Sequence, residues 1–323
     1  MPQVRVGLLG CGVVGSAVVR RLSELRGAEV PVVSAVAVRD TTKPRDCVLP
    51  FDVFRADAYG VVEDPAVDVV VEAIGGLVPA AGLIARALDL GKPVITANKA
   101  VLGAFGPELL EHARSRSTPL LFEAAVAGAV PVIRALSGLS RADEIIKIEA
   151  VLNGTSTFVL SHAEATGASL QDAVAEAQRL GYAEADPTRD LDGSDAADKL
   201  AVLVQYLFDE PLRTQDVHRL GIDKLSDSDV QRDDGRRWRL VATAIKGRCA
   251  RVEPVLLRPE EAFAATTGAD NVVVVTTRRS GPLTLAGAGA GGDATASSVV
   301  ADLLAAQDWL QSVAAGRRCE ALA

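Results

Sequence analysis

Val4-Arg5-Val6-Gly7-Leu8-Leu9, followed by Gly10-Cys11-Gly12-Val13-Val14-Gly15, is the stretch on which the fold turns. The first six residues read as a buried strand. The next six are a G-x-G-x-x-G turn, and apolar residues then recur at helical spacing from Ser16 to about Leu25. Strand, glycine turn and helix in that order open a βαβ unit. The glycines permit a tight turn and close backbone approach, and the helix N-terminus offers free N–H groups to a pyrophosphate. Gly10, Gly12, Val13, Val14 and Gly15 are the candidate contacts. A glycine-rich βα turn without a ligand would look the same locally.

Moving outward, a second strand runs from about Val32 to Val38 and ends in Arg39-Asp40. A ribose-binding acid is expected about 20 residues past the glycines. Arg39 there suits a 2′-phosphate and suggests NADP, with Lys43 and Arg45 adding positive charge. Asp40 could still serve the 2′-hydroxyl of NAD. Further strands are expected at Val67–Ile74, Pro93–Ala97 and Leu120–Phe122, with a helix around Ala80–Leu90. Strands alternating with helices predict a doubly wound parallel sheet of the α/β class. In such sheets ligands bind beyond the carboxyl ends of the strands. Thr96, Asn98 and Lys99 fall at such an end, although a solvated loop lysine would sit there too.

From about Ile145 the rhythm changes. Strands are expected at Ile145–Leu152, Arg251–Leu257 and Asn271–Thr277, a helix at Thr157–Ala165, and a last helix from Thr295 to about Ser312 after a glycine run. This predicts a second, α+β domain over 131–289, with 1–130 and 290–323 forming the first.

Bulk properties exclude several classes. The chain has 323 residues, 49% of them hydrophobic and 24% charged, which is globular. No apolar run reaches the ~18 residues of a membrane span, and no signal peptide is visible, so a cytoplasmic protein is expected. A net charge of −8 argues against a nucleic-acid partner. The four cysteines form no C-x-x-C pair, so neither a zinc site nor a disulfide framework is expected. The three histidines flank no motif.

The most charged segment is Gly181–Lys199, GYAEADPTRDLDGSDAADK. From Glu184 to Lys199 it holds six carboxylates against one arginine and one lysine. A calcium loop fails, because aligning Gly193 with the required glycine puts Lys199 where a bidentate glutamate is needed. A helix is expected from Asp192 or Ser194, capped by Asp192 with Asp195 three residues on. Helical geometry places Asp198 away from the apolar stripe, toward solvent. It places Lys199 half-buried at the stripe's edge, four residues from Asp195. Lys199 could be a proton donor or one half of a structural ion pair.

GYAEADPTRDLDGSDAADKL resembles the signature of homoserine dehydrogenases. ITANKA, FEAAVAGAVPVI, NGTSTFVL and GAGAGGDATASSVVADL occur around it in the family's order. The resemblance spans essentially the whole chain. It implies a Rossmann domain completed by the C-terminal helix, plus a mixed-sheet domain for substrate and dimerisation. It implies reversible reduction of aspartate 4-semialdehyde to L-homoserine with NADPH or NADH, a step of threonine and methionine biosynthesis, in a homodimer. By motif, Lys199 would be the general acid/base with Asp195 beside it, and Glu184 and Asp190 would receive the substrate. Lys99 would lie between cofactor and substrate, Thr96 and Asn98 on the nicotinamide side. Gly181 and Gly291 would approach the cofactor. Glu123, Val126, Gly128 and Val130 would hold a monovalent cation, Na⁺ or K⁺, mainly through backbone carbonyls.

The chemistry fits these residue types. An ammonium-bearing substrate wants carboxylates, and a developing alkoxide wants a cation or proton donor. No covalent intermediate is needed, so the absence of an activated cysteine is consistent. Three positions depart from the family pattern: Ala125 replaces a hydroxyl residue, Thr157 an asparagine and Phe158 a tyrosine. The regulatory ACT-type domain of many relatives is not expected after the last helix, nor feedback by threonine through it. Cys319, after Arg317-Arg318, could pair across a dimer on oxidation or be an inert tail thiol. Two other readings stand beside this one: a dinucleotide sensor that has lost catalysis, and another NAD(P)-dependent amino-acid dehydrogenase.

Overall fold

The computed structural model describes residues 3–316 apart from Ala28, Asp233 and Ala290; Cys319 lies outside the described residues. The chain forms two compact units, residues 1–125 with 291–323, and residues 126–290.

The first unit follows the expected alternation. Its strands are β1 (Arg5–Leu9), β2 (Val32–Ala37), β3 (Phe54–Arg55), β4 (Val69–Glu72), β5 (Val94–Thr96) and β6 (Leu120–Leu121). Between them run α1 (Val13–Glu24), α2 (Ala58–Glu63), α3 (Ala80–Asp89) and α4 (Lys99–Arg116). The sheet order is β3-β2-β1-β4-β5-β6, and all its pairings are parallel. The order reverses between β1 and β4, the switch point of a doubly wound fold. Every residue of β4 is buried, as covering both faces of a parallel sheet requires. The chain's last helix, α11 (Gly292–Ala314), returns to this unit. Val299 and Leu303 on α11 join Val18 and Leu22 of α1 and Val6 and Leu8 of β1 in one core. Fully buried side chains of this size contribute ~1.5–3 kcal/mol each.

The second unit is a mixed sheet in the order β12-β11-β7-β9-β10-β8. Its strands are β7 (Ile145–Val151), β8 (His218–Arg219), β9 (Arg237–Ile245), β10 (Cys249–Leu257), β11 (Asp270–Thr277) and β12 (Gly281–Ala288). Neighbours run antiparallel except β10 and β8. The helices are α5 (Val132–Ala142), α6 (Gly154–Thr166), α7 (Leu170–Arg179), α8 (Thr188–Leu191), α9 (Ser194–Leu207) and α10 (Asp227–Val230). α6 and α9 pack on the sheet. Arg239 on β9, 2% exposed, fastens α6 by donating to Glu164 at 3.1 Å and to the carbonyls of Thr266 and Ala264.

Four strands were not expected: the two-residue β3 and β8, and the longer β9 and β12. β9 is a nearly continuous buried run rather than an alternating one. β12 contains Pro282 and reads as loop, but it is an edge strand, where a missing N–H is tolerated. The glycine run before the last helix is shorter than expected, because Gly287 and Ala288 pair with Asn271 and Asp270. Among the described residues no helix is long and apolar enough to cross a membrane.

Candidate active site

In the second unit, four short pieces of chain bring Asp190, Asp195 and Lys199 together. Gly193 (φ +81°) lets the chain turn sharply into α9. Lys199 then places its Nζ 2.9 Å from Asp195 Oδ2. The same Nζ donates to Leu152 O, just past β7, at 2.6 Å. Asn153 follows Leu152 and joins the rest. Its Nδ2 donates to Asp190 Oδ1 at 2.6 Å and to Asp195 Oδ2 at 3.0 Å. Its Oδ1 accepts from Ser156 N–H at 2.7 Å and so caps α6. Burial pushes the Asp190 carboxyl above the usual carboxylate range, and the Asp195 charge adds to this, while the Asn153 bond opposes it.

In the sequence, Asn153-Gly154-Thr155-Ser156 reads as a turn with N-cap character ahead of a helix from Thr157. The helix starts at Gly154 instead, which turns Asn153 into the hub of the cluster. Asn followed by Gly-Thr-Ser at the end of a buried strand was the available signal.

Two expectations for the acidic segment are corrected. Asp198 is not solvated; it is 3% exposed. Its Oδ2 takes Arg189 of α8 at 2.6 Å and its Oδ1 takes Thr214 Oγ1 at 2.8 Å, so it ties α8, the carrier of Asp190, to α9. Asp192 does not cap α9 in the expected way. The N-cap is Gly193, and Asp192 Oδ1 accepts from Ser194 N–H two residues on. Asp195 turns to Lys199 and Asn153 rather than back into a capping box.

Glu184 is exposed on the loop after α7 and takes no part in this network. That loop is held by its backbone: Gln178 Nε2 donates to Glu184 O and Ala185 O, and Thr155 Oγ1 to Tyr182 O at 2.7 Å. Gly181 (φ +79°) ends α7 and leaves an open space where a side chain would stand. The ring of Phe158 stacks on Tyr182, centroids 4.7 Å apart, and the Thr157 hydroxyl bonds back to Asn153 O. A cleft of about 550 Å³ lies beside Asp192, His218, Arg219 and Lys224. It is lined by none of Asn153, Asp190, Asp195 and Lys199.

In the first unit, the glycine turn is built as a cradle. Gly10 has φ +93°, and a Cβ on it would lie 2.5 Å from Ala73 O. A Cβ on Gly15 would lie 2.2 Å from Gly10 O. A Cβ on Gly12, the N-cap of α1, would meet nothing within 4 Å. Gly10 and Gly15 are therefore needed by the fold, while Gly12 keeps open the space before the N-terminus of α1. Val13 is 77% exposed beside it, and Val14 is half-buried. This is the arrangement a pyrophosphate requires. Gly291 (φ +114°) starts α11 with nothing within 4 Å of its would-be Cβ.

Arg39 is exposed at the end of β2. Asp40 is engaged by its own loop: Thr42 donates to it through its hydroxyl at 2.7 Å and its N–H at 2.9 Å, holding the carboxyl below its ordinary range. Arg45 stacks over Phe54 and donates to Lys43 O. At the ends of β4 and β5, Thr96 and Asn98 are both buried. Both donate to Glu72, which sequence reasoning missed. Lys99 is the first residue of α4, which Asn98 caps by accepting from Val101 N–H. The Cys11 thiol is pushed up to about 11, chiefly by burial, which fits a reaction without a thiolate nucleophile.

Among the described residues no group of three or more His, Cys, Asp or Glu side chains could hold a metal ion. The proposed cation loop would bind through backbone carbonyls. Glu123 belongs to the first unit, where its N–H donates to Asp302 Oδ2 at 2.9 Å. Val126, Gly128 and Val130 belong to the second, where Gly128 (φ +66°) packs on the backbone of Gly289.

A doubly wound sheet with an open glycine turn, beside a second unit carrying a buried aspartate–lysine pair, fits the class of NAD(P)-dependent dehydrogenases. The homoserine dehydrogenase family model matches residues 131–304, and that of the homoserine dehydrogenase NAD-binding domain residues 10–123. The chain is 38% identical to the homoserine dehydrogenase of Synechocystis sp., over 93% of this chain and 72% of that one. It is 39% identical to that of Corynebacterium glutamicum, over 94% and 72%. It superposes on the homoserine dehydrogenase of Thiobacillus denitrificans with a TM-score of 0.89 at 37% identity, covering 99% of this chain and 77% of that one. A hyperthermophilic archaeal homoserine dehydrogenase in complex with NADPH gives a TM-score of 0.83 at 28% identity, over 95% and 98%.

The chain belongs to the homoserine dehydrogenase family. It is an NAD(P)-dependent oxidoreductase that interconverts aspartate 4-semialdehyde and L-homoserine. The readings as a catalytically inert sensor or another amino-acid dehydrogenase are set aside.

Proposed function

We propose that Lys199 is the general acid and base of this reaction. The observation that carries the proposal is its Nζ, held by Asp195 Oδ2 and Leu152 O. Among the described residues these are its two acceptors, and an ammonium has three protons. The third is assigned to the substrate oxygen. In the reductive direction Lys199 gives a proton to the alkoxide forming at C4. In the oxidative direction it takes the hydroxyl proton. Asp195 aims the lysine and balances its charge. Glu184 and Asp190 receive the substrate ammonium.

The nicotinamide, when bound, gives or takes the hydride. Gly10, Gly12, Val13, Val14, Gly15 and Gly291 hold the pyrophosphate end, and Thr96, Asn98 and Lys99 the nicotinamide end. Lys99 shares the task of countering alkoxide charge. Arg39 favours NADP, because it is the exposed cation at the end of β2 while Asp40 is engaged by Thr42.

Three further assignments belong to the same reading. Val126, Gly128 and Val130 bind Na⁺ or K⁺ through backbone oxygens; replacing both ions with choline tests this and lowers turnover if it is right. The enzyme is a homodimer built on the second unit, where β12 exposes Leu283, Thr284 and Ala286 along an unpaired edge; light scattering decides it. A cytoplasmic location belongs to the same reading.

The decisive test is a spectrophotometric assay of homoserine with NAD⁺ or NADP⁺. Lys199→Ala should lower kcat by ~10²–10⁴-fold, the usual worth of a positioned proton-transfer group, measured at a temperature where its melting curve shows it still folded, since the loss of Asp195's partner lowers Tm. Full activity in that variant would remove Lys199 from the mechanism.

A further inference from the structure

Glu72 is the last residue of β4, and its side chain is 0% exposed. Its carboxylate accepts four hydrogen bonds. Oε2 takes Thr96 Oγ1 at 2.6 Å. Oε1 takes Ile74 N–H at 2.8 Å, Gly75 N–H at 3.3 Å and Asn98 Nδ2 at 3.4 Å. Asn98 Nδ2 also donates to Gly76 O at 2.8 Å, and Asn98 N–H to Thr96 Oγ1 at 3.0 Å. One carboxylate thus ties the turn after β4 to the turn after β5. The four donors are all neutral. Taking a carboxylate out of water is costly, and a neutral amide could hold the same two turns. The charge is therefore surplus to the structural task.

Its place in the sheet suggests the use. β4 stands beside β1 across the point where the strand order reverses, and a dinucleotide lies across that crevice. The glycine turn after β1 serves the pyrophosphate, and the end of β2 serves the adenosine ribose. The ends of β4 and β5 are left for the nicotinamide half. A nicotinamide ring is positive when oxidised and neutral when reduced. A fixed negative charge in a water-poor setting favours the positive form.

We propose that Glu72 is a positioning residue that fixes Thr96 and Asn98 and, through its buried charge, tilts the site toward the oxidised cofactor. This rests on the reading of the first unit as the cofactor site. The test is titration of the full chain with oxidised and reduced NADP and NAD, by calorimetry and nicotinamide fluorescence, with melting curves alongside. Glu72→Gln keeps the shape and removes the charge. It should weaken oxidised-cofactor binding about tenfold and leave the reduced form within about twofold. Parallel loss of both, or loss of neither, would overturn the proposal. If Glu72→Gln shows no melting transition, Glu72→Asp decides. That variant keeps the charge but shortens the reach, so both affinities should fall with their ratio preserved, and a changed ratio would overturn the proposal. A wild-type chain that binds neither state would instead overturn the cofactor-site reading.

Discussion

Replacing Asn153 by alanine should damage stability and catalysis together, and the structure separates the two effects. The substitution deletes the α6 cap and both amide bonds, to Asp190 Oδ1 and Asp195 Oδ2. A lost cap is worth about 1 kcal/mol. A hydrogen bond to a charged group is worth about 1.5–3 kcal/mol. Water entering the vacated space recovers part of the second, so the net loss is about 3–5 kcal/mol. For a unit of this size that lowers Tm by roughly 8–15 °C. Without the amide, Asp190 and Asp195 lose the group that spaces them, and Asp195 no longer aims Lys199 from one direction. kcat/KM for homoserine should fall by about 10²-fold, the usual cost of a misplaced group. Asn153→Ser divides the two roles. Serine caps a helix nearly as well, so it should regain about 1 kcal/mol, roughly 2–4 °C in Tm. It has no amide to span two carboxylates, so activity should stay low. Calorimetry and steady-state kinetics on the three proteins settle the matter. If Asn153→Ser turns over within about threefold of wild type, the amide does not organise the site.

Asp190 has a carboxyl raised by burial and by Asp195. If its anion receives the substrate ammonium, kcat/KM falls as pH drops through that raised value, before an ordinary carboxylate near ~3.9 would titrate. Asp190→Asn should flatten this acidic limb, and an unchanged limb would exclude the role. Stability has the opposite sign: a raised folded pKa gives a contribution present below the unfolded value and lost as pH rises through the folded one. Asp190→Asn should therefore melt no lower than wild type at neutral pH. In the glycine turn, Gly12→Ala meets open space and should leave Tm within about 2 °C, while weakening cofactor binding more than tenfold by titration. Gly15→Ala, whose Cβ would lie 2.2 Å from Gly10 O, should instead lower Tm. Equal melting of the two would refute the division between them.

The first unit was legible because its strands are short, apolar runs separated by helical spacing, and a parallel sheet buries both faces of each. β9 and β12 were not legible. β9 is buried along almost its whole length, so it carries no alternation. β12 owes its strand to its pairing with β11, against its own Pro282 and glycines. Asn153 escaped for a related reason: its side chain reaches residues 37 and 42 positions away. No local pattern announces such a hub. Glu72 was hidden inside an apolar strand, where a lone acid reads as a break in the pattern.

The acidic segment shows what a helical wheel can and cannot decide. The wheel placed Lys199 at the edge of the apolar stripe beside Asp195, and the 2.9 Å contact is there. It placed Asp198 toward solvent, and that failed, because a wheel knows only its own helix. α8 and the Thr214 turn cover that side of α9, and Arg189 arrives with α8 to neutralise Asp198. The carboxylates of one segment are thus stabilised in different ways. Asp198 has an arginine, Asp195 has Lys199 and an amide, and Asp190 has the neutral Asn153 amide and Thr155 hydroxyl, with Lys199 acting on it only as a neighbouring charge, and a raised carboxyl pKa. Asp190 is therefore the acid with the most to gain from an incoming ammonium. That inequality, and not the number of acids, makes the segment suited to the ammonium group of an amino-acid substrate.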